Sequence, residues 1–312
     1  MRLIDLRYPL DVSKVLDEPV VLAMGFFDGV HLGHQAVLAK AKQVAQKRGI
    51  KMAVLTYDHH PQIVFSNIPT YFKYLSAPER KLELLATHGV DIVYRVSFTS
   101  KLGNLIPQKF VDTYLLGLHA KVVVAGFDHT YGPKDMATMA RLPEYAKGRF
   151  EVIEVAPTEL TTEKIGSTAI RNYLDQGKLE CANAMLGYVY QTTGLVVHGK
   201  EIGRTLGYPT ANILTPVDER IPAVGVYAVE IYVGEQWYQG MASIGYNETL
   251  GGGRPKTLEI NILDYQDEIY GENIKVKWQK YLRPMVKYAD LPTLIAQLAQ
   301  DEKNVRNFFA EK

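Results

Sequence analysis

The hydrophobic pattern of the chain changes near Gly187, and this change limits the possible folds more than any other feature of the sequence. Before it, apolar runs of strand length, such as 19–24 and 51–57, alternate with segments of helical spacing, such as 34–48. After it, short runs rich in Val, Ile, Tyr and Thr follow one another with glycines between them. Alternating strands and helices are typical of a parallel sheet, whereas closely spaced strands favour an antiparallel barrel or sandwich.

The pattern therefore predicts two domains, 1–186 and 187–312, and the second ends in an amphipathic helix over 291–309. In the first domain, a capping box over 76–79 (SAPE), with Pro78 just inside the helix, predicts a helix that starts near residue 78. Further strands and helices are expected at 91–96, 107–118, 121–125, 133–147 and 150–156.

The composition excludes several classes of protein. The 312 residues carry 35 basic and 34 acidic side chains, a net charge of +1, without the basic excess of a dedicated nucleic-acid binder. The single cysteine, Cys181, can form neither an internal disulfide nor a cysteine-based zinc site, and it fits a reducing compartment. No apolar run is long enough to span a membrane, and the first residues lack the apolar segment of a signal peptide. We therefore expect a cytoplasmic protein that acts on small molecules, with no nucleic acid or membrane as a partner.

Residues 24–34 (MGFFDGVHLGH), called here the histidine turn, lead from a predicted strand into a predicted helix. Parallel sheets bind ligands at the carboxyl ends of their strands, and a helix N-terminus offers free N–H groups to phosphate. His31 and His34 are three residues apart, so both can face the same ligand and donate hydrogen bonds to it. Two alternatives stay open: a purely structural turn, or a zinc site with His59 and His60, for which no third ligand is evident.

The histidine turn resembles the HxGH motif of the nucleotidyltransferase superfamily, in the form found in bacterial bifunctional riboflavin kinase/FAD synthetases. Three further segments resemble motifs of that family: 56–61 (TYDHHP), 126–132 (GFDHTYG) and 165–171 (IGSTAIR). Each follows a predicted strand or begins a helix, where a parallel sheet binds its ligands. The resemblance implies that the first domain is an FMN adenylyltransferase with a Rossmann-like parallel sheet.

The same resemblance implies a role for each of these residues. His31 and His34 would stabilise the phosphates and the leaving group, and Arg171 would neutralise the departing pyrophosphate. Asp128 would position the nucleotide or the flavin. The remaining ATP contacts of this domain would be Gly25, Phe26, Phe27, Asp28, Gly33, Ser167 and Thr168.

The second dense segment, residues 198–213 (HGKEIGRTLGYPTANI), is called here the barrel motif. Thr210 and Asn212 are two residues apart, so on an extended chain both can point the same way. Their side-chain oxygens suit a Mg²⁺ ion that carries a nucleotide. A surface loop with a turn proline is an alternative interpretation of the same composition.

GRTLGYPTAN within the barrel motif closely resembles the riboflavin kinase motif, and residues 222–231 and 257–271 resemble later motifs of that family. The resemblance implies an antiparallel riboflavin-kinase β-barrel with a closing helix, so that the whole chain has an α/β plus β fold. It implies that Thr210 and Asn212 contact Mg²⁺ and ATP. It makes Glu259 the base that takes a proton from the 5′-hydroxyl of riboflavin. Further ATP contacts would be Gly199, Lys200, Gly203 and Arg204.

Four positions depart from the family pattern. Gly166 replaces a serine, and His129 replaces a phenylalanine, and we expect neither change to abolish activity. Asn261 stands where the family often has histidine. In residues 243–253 (SIGYNETLGGG) the sequence differs from the IGxRPTF that is common in the family. The resemblance implies that this loop flanks the flavin, so the difference can change the affinity for the flavin.

Together the two resemblances imply an enzyme that phosphorylates riboflavin to FMN and adenylylates FMN to FAD, with ATP and Mg²⁺. Three alternatives are an enzyme with one working domain, a flavin-binding regulatory protein without catalysis, and transfer of a nucleotidyl group to another acceptor. The presence of both histidines with Arg171, Thr210 and Glu259 favours the bifunctional enzyme. We expect a monomer or a weak homo-oligomer.

Overall fold

The computed structural model of the protein describes residues 1–66, 71–160, 163–199, 203, 206–246 and 256–312. Its residues form two compact units. The first unit comprises Met1–Phe72 and Pro78–Gly166, and the second comprises Lys73–Ala77 and Ser167–Lys312. The structural division therefore precedes Ser167, whereas the functional boundary between 186 and 187 stays a prediction.

A six-stranded sheet forms the centre of the first unit, and every neighbouring pair of its strands is parallel. The strands in chain order are β1 (Arg2–Leu6), β2 (Val20–Met24), β3 (Lys51–Tyr57), β4 (Ile92–Val96), β5 (Ala120–Gly126) and β6 (Glu151–Val155). Their order across the sheet is β1-β4-β3-β2-β5-β6. Every residue of β2 is buried, as expected for a strand that is covered on both faces.

Helices connect these strands, and the first of them ends at a glycine, as the sequence predicts. This glycine, Gly49, has φ 64°, a conformation that glycine adopts without strain. The helices are α1 (Leu32–Arg48), α2 (Gln62–Phe65), α3 (Pro78–Thr87), α4 (Ser100–Gly103), α5 (Pro107–Phe110) continued by a π-helix (Val111–Leu116), and α6 (Leu142–Ala146). A short antiparallel pair, β7 (Glu159–Leu160) and β8 (Glu163–Lys164), ends the unit.

The direction in which the chain adds strands to the sheet reverses between β2 and β5. From β2 the next strand, β3, is added on one side, whereas β5 and β6 are added on the opposite side of β2. Met24 pairs in register with both Leu55 and Ala125, so the carboxyl ends of three strands lie side by side. Open α/β sheets bind ligands in the crevice at such a reversal. The fold therefore puts the histidine turn, which follows β2, where a ligand is expected.

The second unit begins with two helices, α7 (Ser167–Asp175) and α8 (Leu179–Leu186), which precede a closed antiparallel barrel. The order around the barrel is β10-β13-β12-β11-β14-β9. Its strands are β9 (Gln191–Val197), β10 (Ala211–Leu214), β11 (Gly225–Val233), β12 (Gln236–Tyr246), β13 (Lys256–Ile262) and β14 (Asn273–Arg283). Closure pairs every strand on both sides, so no edge is left open.

The closing helix, α9 (Leu291–Ala310), packs on the barrel through Val305 and Leu298, which join a cluster that includes Met241 of β12. An ion pair fixes the same contact. Arg283 donates from Nε to Asp301 Oδ1 over 2.9 Å, and Asp301 is only 1% exposed. The predicted fold class, a parallel sheet followed by an antiparallel barrel with a closing helix, is confirmed.

The prediction of one helix over 133–147 is wrong. The structure has only a 3-10 turn, Met139–Arg141, followed by α6. The carbonyl of Pro133 instead accepts hydrogen bonds from two following amides in a turn, and Thr130 pairs with Thr138 as an isolated bridge. Local turn chemistry therefore displaces the first half of the expected helix. Among the described helices, none combines the length and the apolar character needed to cross a bilayer.

Candidate active sites

The histidine turn has an unusual backbone. Phe27 and Val30 have positive φ values, 58° and 36°, and Gly29 between them has φ 77°. Positive φ is costly for residues other than glycine, so packing around the turn must hold it in place. Gly25 contributes to this packing, because a Cβ there would lie 2.9 Å from the ring of Phe27. The backbone amide of Gly25 also donates to Leu55 O on β3.

His31 and His34 lie together at the start of α1, as the sequence predicts. Their rings stack with centroids 3.7 Å apart and an interplanar angle of 16°. His31 is the N-cap of α1, and its Nδ1 accepts a hydrogen bond from His34 N over 3.3 Å. Because Nδ1 accepts, the proton of the neutral His31 ring is on Nε2, which leaves that nitrogen as a donor.

The glycine between the two histidines, Gly33, lies close to the His31 ring. A Cβ on Gly33 would lie 3.2 Å from both Cε1 and Nδ1 of His31. This is tighter than an ordinary contact in a packed interior, so the His31 ring would have to shift by a few tenths of an ångström to admit a larger residue. Glycine at this position therefore allows the observed stacking of the two rings without such a shift.

The electrostatic environment favours a neutral His34. Burial lowers its pKa well below its ordinary value, and the neighbouring His31 and the cation of Lys81 lower it further. The Nδ1 atom of His34 is buried and has no hydrogen-bond partner among the described residues. A neutral imidazole with an unused ring nitrogen can exchange hydrogen bonds with an entering ligand, and a phosphate group is one ligand of this type.

Lys81 is a component of this site that the sequence did not reveal. It lies on α3, is only 5% exposed, and donates from Nζ to the carbonyl oxygens of Tyr57 and Phe26. The signal was present in the spacing, since Lys81 shares one helix face with the buried Leu84 and Leu85. A lysine on an amphipathic helix is nevertheless exposed by default, so the pattern did not single it out.

The segment after β5 lies beside the end of β2, as predicted. Asp128 is exposed and accepts a hydrogen bond from Lys164 over 2.8 Å. Burial lowers the pKa of His129 to about 4, and Asp128 opposes this shift. Tyr131 is buried in the core and stacks on Phe110 with centroids 5.7 Å apart. His129 is therefore a neutral ring near neutral pH, and this substitution for phenylalanine adds no charge to the site.

The segment after β3 supports the histidine turn and does not complete a zinc site. Thr56 is fully buried and donates from Oγ1 to Phe26 O over 2.9 Å. The ring of His60 stacks on Phe72, and His59 pairs with Asp58. Among the described residues, no group of three or more histidine, cysteine or acidic side chains could hold a metal ion.

The other residues that the resemblance assigns to adenylyl transfer belong to the second unit. Ser167 and Thr168 begin α7, and Arg171 lies one turn further along it. Arg171 donates from Nε to Lys73 O over 3.5 Å. At Gly166, just before α7, a Cβ would meet nothing within 4 Å, so packing does not explain this departure from serine. A common site of these residues with the histidine pair stays a prediction.

In the barrel, the three predicted residues Thr210, Asn212 and Glu259 come together. Asn212 on β10 lies directly opposite Glu259 on β13, and opposite residues in an antiparallel pair point to the same face. Thr210 Oγ1 lies 3.4 Å from Glu259 Oε2 and donates to it. A cavity of about 250 Å³ borders Thr210, with Ile260 and Tyr265 also in its lining.

Two glycines of the barrel motif make room for these side chains. A Cβ on Gly199 would lie 2.0 Å from Asn212 Nδ2, and a Cβ on Gly203 would lie 2.3 Å from Tyr208 O. Asn261, where the family often has histidine, is buried and donates from Nδ2 to Pro209 O over 2.8 Å. It therefore anchors the barrel motif from β13. The predicted contacts Lys200 and Arg204, and residues 247–253 of the altered segment, lie outside the described residues.

Replacing Gly199 with alanine tests this packing. The new Cβ must displace the Asn212 amide, and misplacing a positioning group by about 1 Å can lower a rate by about 100-fold. We expect kcat/KM for the phosphorylation of riboflavin, the reaction expected of the barrel, to fall at least about 10-fold. Adenylyl transfer to FMN, the reaction expected of the first unit, should be unchanged. Kinetics of both reactions on one preparation would measure this, and a wild-type barrel reaction would contradict the assignment of Asn212.

Two family models match the chain over separate ranges. The model for FAD synthetase matches residues 13–169, and the model for riboflavin kinase matches residues 186–309. The chain is 49% identical to the bifunctional riboflavin kinase/FMN adenylyltransferase of Listeria monocytogenes over 100% of this chain and 99% of that protein. It is 35% identical to the protein of the same name from Bacillus subtilis, over 99% of both chains.

A solved structure is similar over nearly the full length. It is a crystal structure from Streptococcus pneumoniae described as a macrolide-efflux protein, with a TM-score of 0.90 and 36% identity, and it covers 97% of this chain and 99% of that one. The fold and the two family models define a two-part transferase, with a nucleotidyltransferase sheet before a kinase barrel. The chain belongs to the family of bifunctional riboflavin kinase/FMN adenylyltransferases. The predicted family and its two activities are confirmed.

Proposed function

We propose that the described side chains carry out the two reactions of this family on one flavin: riboflavin and ATP give FMN and ADP, and FMN and a second ATP give FAD and pyrophosphate. The observation that most strongly supports the proposal is the stacked His31–His34 pair at the reversal of the parallel sheet. The chemistry of each reaction follows from its own set of residues.

For adenylyl transfer, a phosphate oxygen of FMN forms a bond to the α-phosphorus of ATP, and the bond from that phosphorus to the pyrophosphate oxygen breaks. Such transfers need alignment and charge stabilisation more than a covalent catalyst. We assign this stabilisation to His31, whose Nε2 is a donor, and to the neutral His34. We assign the leaving pyrophosphate to Arg171.

The remaining assignments for this reaction follow the family resemblance. Asp128 positions the nucleotide or the flavin, and its ion pair with Lys164 must adjust if Asp128 contacts the ligand. The backbone of the histidine turn approaches the phosphates closely at its glycines. The side chains and amides assigned to ATP are Gly25, Phe26, Phe27, Asp28, Gly33, Ser167 and Thr168.

For the kinase reaction, Glu259 accepts the proton of the 5′-hydroxyl of riboflavin as that oxygen bonds to the γ-phosphorus of ATP and ADP leaves. A carboxylate within hydrogen-bond reach of a hydroxyl is suited to this task. The side-chain oxygens of Thr210 and Asn212 are hard ligands of the kind that Mg²⁺ prefers, and both residues lie beside Glu259. Mg²⁺ usually binds through few protein groups together with substrate phosphates, and it would neutralise the charge of the triphosphate here.

A time course tests the proposal directly. Purified protein is incubated with riboflavin, ATP and Mg²⁺, and the flavins are separated by chromatography. We expect FMN to appear first and FAD to follow. Accumulation of FMN without FAD would mean that the first unit is inactive or selective for another acceptor, and conversion of added FMN alone would show an inactive kinase. No conversion of either flavin would favour a flavin-binding regulatory protein.

The site of action and the assembly state are further expectations. We expect the protein to act in the cytoplasm as a monomer or a weak homo-oligomer that binds no nucleic acid. Its single cysteine, Cys181, is exposed and unpaired, which suits a reducing compartment. Light scattering at several protein concentrations measures the assembly state.

A further inference from the structure

Lys81 is a buried cation whose observed hydrogen bonds go to backbone oxygens. Nζ lies 3.2 Å from Tyr57 O and 3.4 Å from Phe26 O, and it lies 4.5 Å from the centroid of the Phe26 ring. Burying an ammonium group is unfavourable unless its surroundings compensate the charge or use it. A cation that is paired with carbonyl groups, next to a candidate phosphate site, indicates a use in that site.

One of the two carbonyls that Lys81 contacts, that of Phe26, belongs to the histidine turn, and the other, that of Tyr57, ends β3. Phe26 O also accepts a hydrogen bond from the buried Thr56, so a single oxygen is held by two donors from different elements. The next residue, Phe27, has a positive φ, and Val30 follows with another. Fixing the Phe26 carbonyl therefore fixes the peptide that enters the strained part of the turn.

We propose that Lys81 is a positioning residue for adenylyl transfer: it holds the Phe26 carbonyl, and through it the histidine turn, in the conformation that binds the phosphates of ATP. This proposal rests on the proposed adenylyltransferase function. Lys81 acts through the backbone and not on the reacting atoms, and its charge contributes a second effect by favouring a neutral His34.

The protonation of Lys81 gives this role a distinctive signature. Burial lowers the pKa of Lys81 to about 8. Charged groups on the surrounding elements modify this shift. Asp28 in the histidine turn and Asp58 after β3 raise the pKa of Lys81, whereas Arg95 on β4 lowers it. The fourth titratable group near Lys81 is His34 on α1. The ammonium form is present below this pKa, and above it the neutral amine holds the two carbonyls less strongly, because hydrogen bonds from a charged donor are the stronger ones. For adenylyl transfer, kcat/KM should therefore fall above about pH 8, because that profile reports groups of the free enzyme.

The test uses the whole chain, with kinase activity as an internal control. Lys81→Met keeps the length of the side chain and removes the charge. We expect kcat and kcat/KM for FAD formation from FMN and ATP to fall about 10- to 100-fold, the decline of kcat/KM above about pH 8 to disappear, and FMN formation to be unchanged. Thr56→Val removes the other donor to Phe26 O without a charge, so it should lower kcat and keep the alkaline decline.

Each outcome bears on the proposal. A Lys81→Met protein with wild-type kcat and a wild-type pH profile for FAD formation overturns it. If Lys81→Met unfolds and loses both activities, Lys81→Arg is tested instead, because its guanidinium stays protonated above pH 8. Loss of the alkaline decline in Lys81→Arg supports the proposal, and its persistence overturns it. A wild-type protein that makes no FAD at all refutes the adenylyltransferase function instead.

Discussion

A His34→Ala variant is expected to lose most of its FAD formation while it still converts riboflavin to FMN. The His34 ring is neutral because burial and the neighbouring His31 and Lys81 lower its pKa. It can therefore offer an N–H to a phosphate oxygen as negative charge develops. Removal of one preorganised donor lowers kcat by about 100- to 1,000-fold. Parallel assays of FAD and FMN formation on the same preparation would measure this loss.

His31 requires a different substitution, because it also caps α1. Alanine would remove the hydrogen bond from His34 N to His31 Nδ1, and losing such a cap costs about 0.5–2 kcal/mol of folding stability. Asparagine is a favourable N-cap, so His31→Asn keeps the cap and removes the imidazole. We expect loss of FAD formation with Tm near the wild-type value. Wild-type FAD formation by either variant, or loss of both activities in a folded variant, would contradict the assignment.

The parts of the fold that are local in sequence were predictable. The strand that ends at Met24, the helix that begins at Leu32 and the glycine that ends it at residue 49 each follow from neighbouring residues. The position of the histidine turn at the carboxyl end of a parallel strand then follows from general properties of such sheets. The stacking of the two histidines at the start of α1 agrees with the position that the sequence predicts for them.

The parts that depend on distant residues were not predictable in this way. β1 and β10 were not predicted. β1 (RLIDL) mixes charged and apolar residues and β10 has only four residues, so neither has the continuous apolar run of a buried strand, and pairing with distant residues defines both. Lys81 was missed because only the packing of α3 against the ends of β2 and β3 reveals where its Nζ lies. Local periodicity carries no information on which carbonyl a buried side chain will meet.

A Glu259→Gln variant should have the opposite phenotype to His34→Ala. Glutamine keeps the shape of the side chain and can still accept a hydrogen bond from Thr210 Oγ1, but it cannot take up a proton near neutral pH. A general base contributes about 100- to 10,000-fold to a rate, so FMN formation from riboflavin should fall within that range. FAD formation from added FMN should be unchanged, because none of the residues assigned to adenylyl transfer lies on a strand of the barrel.

A second glutamate in the same barrel provides the matched control. Glu230 lies on β11 and bonds to Gln279 on β14, away from the Thr210–Glu259 pair. Glu230→Gln should therefore keep FMN formation near the wild-type rate. If both glutamine variants lose kinase activity equally, the loss reflects the barrel as a whole and not a base at Glu259. If Glu259→Gln retains the wild-type rate, proton transfer must use another group, and Glu259 then only orients Thr210. Wild-type FAD formation alongside a lost kinase reaction would show that the two reactions use separable sets of side chains in one chain.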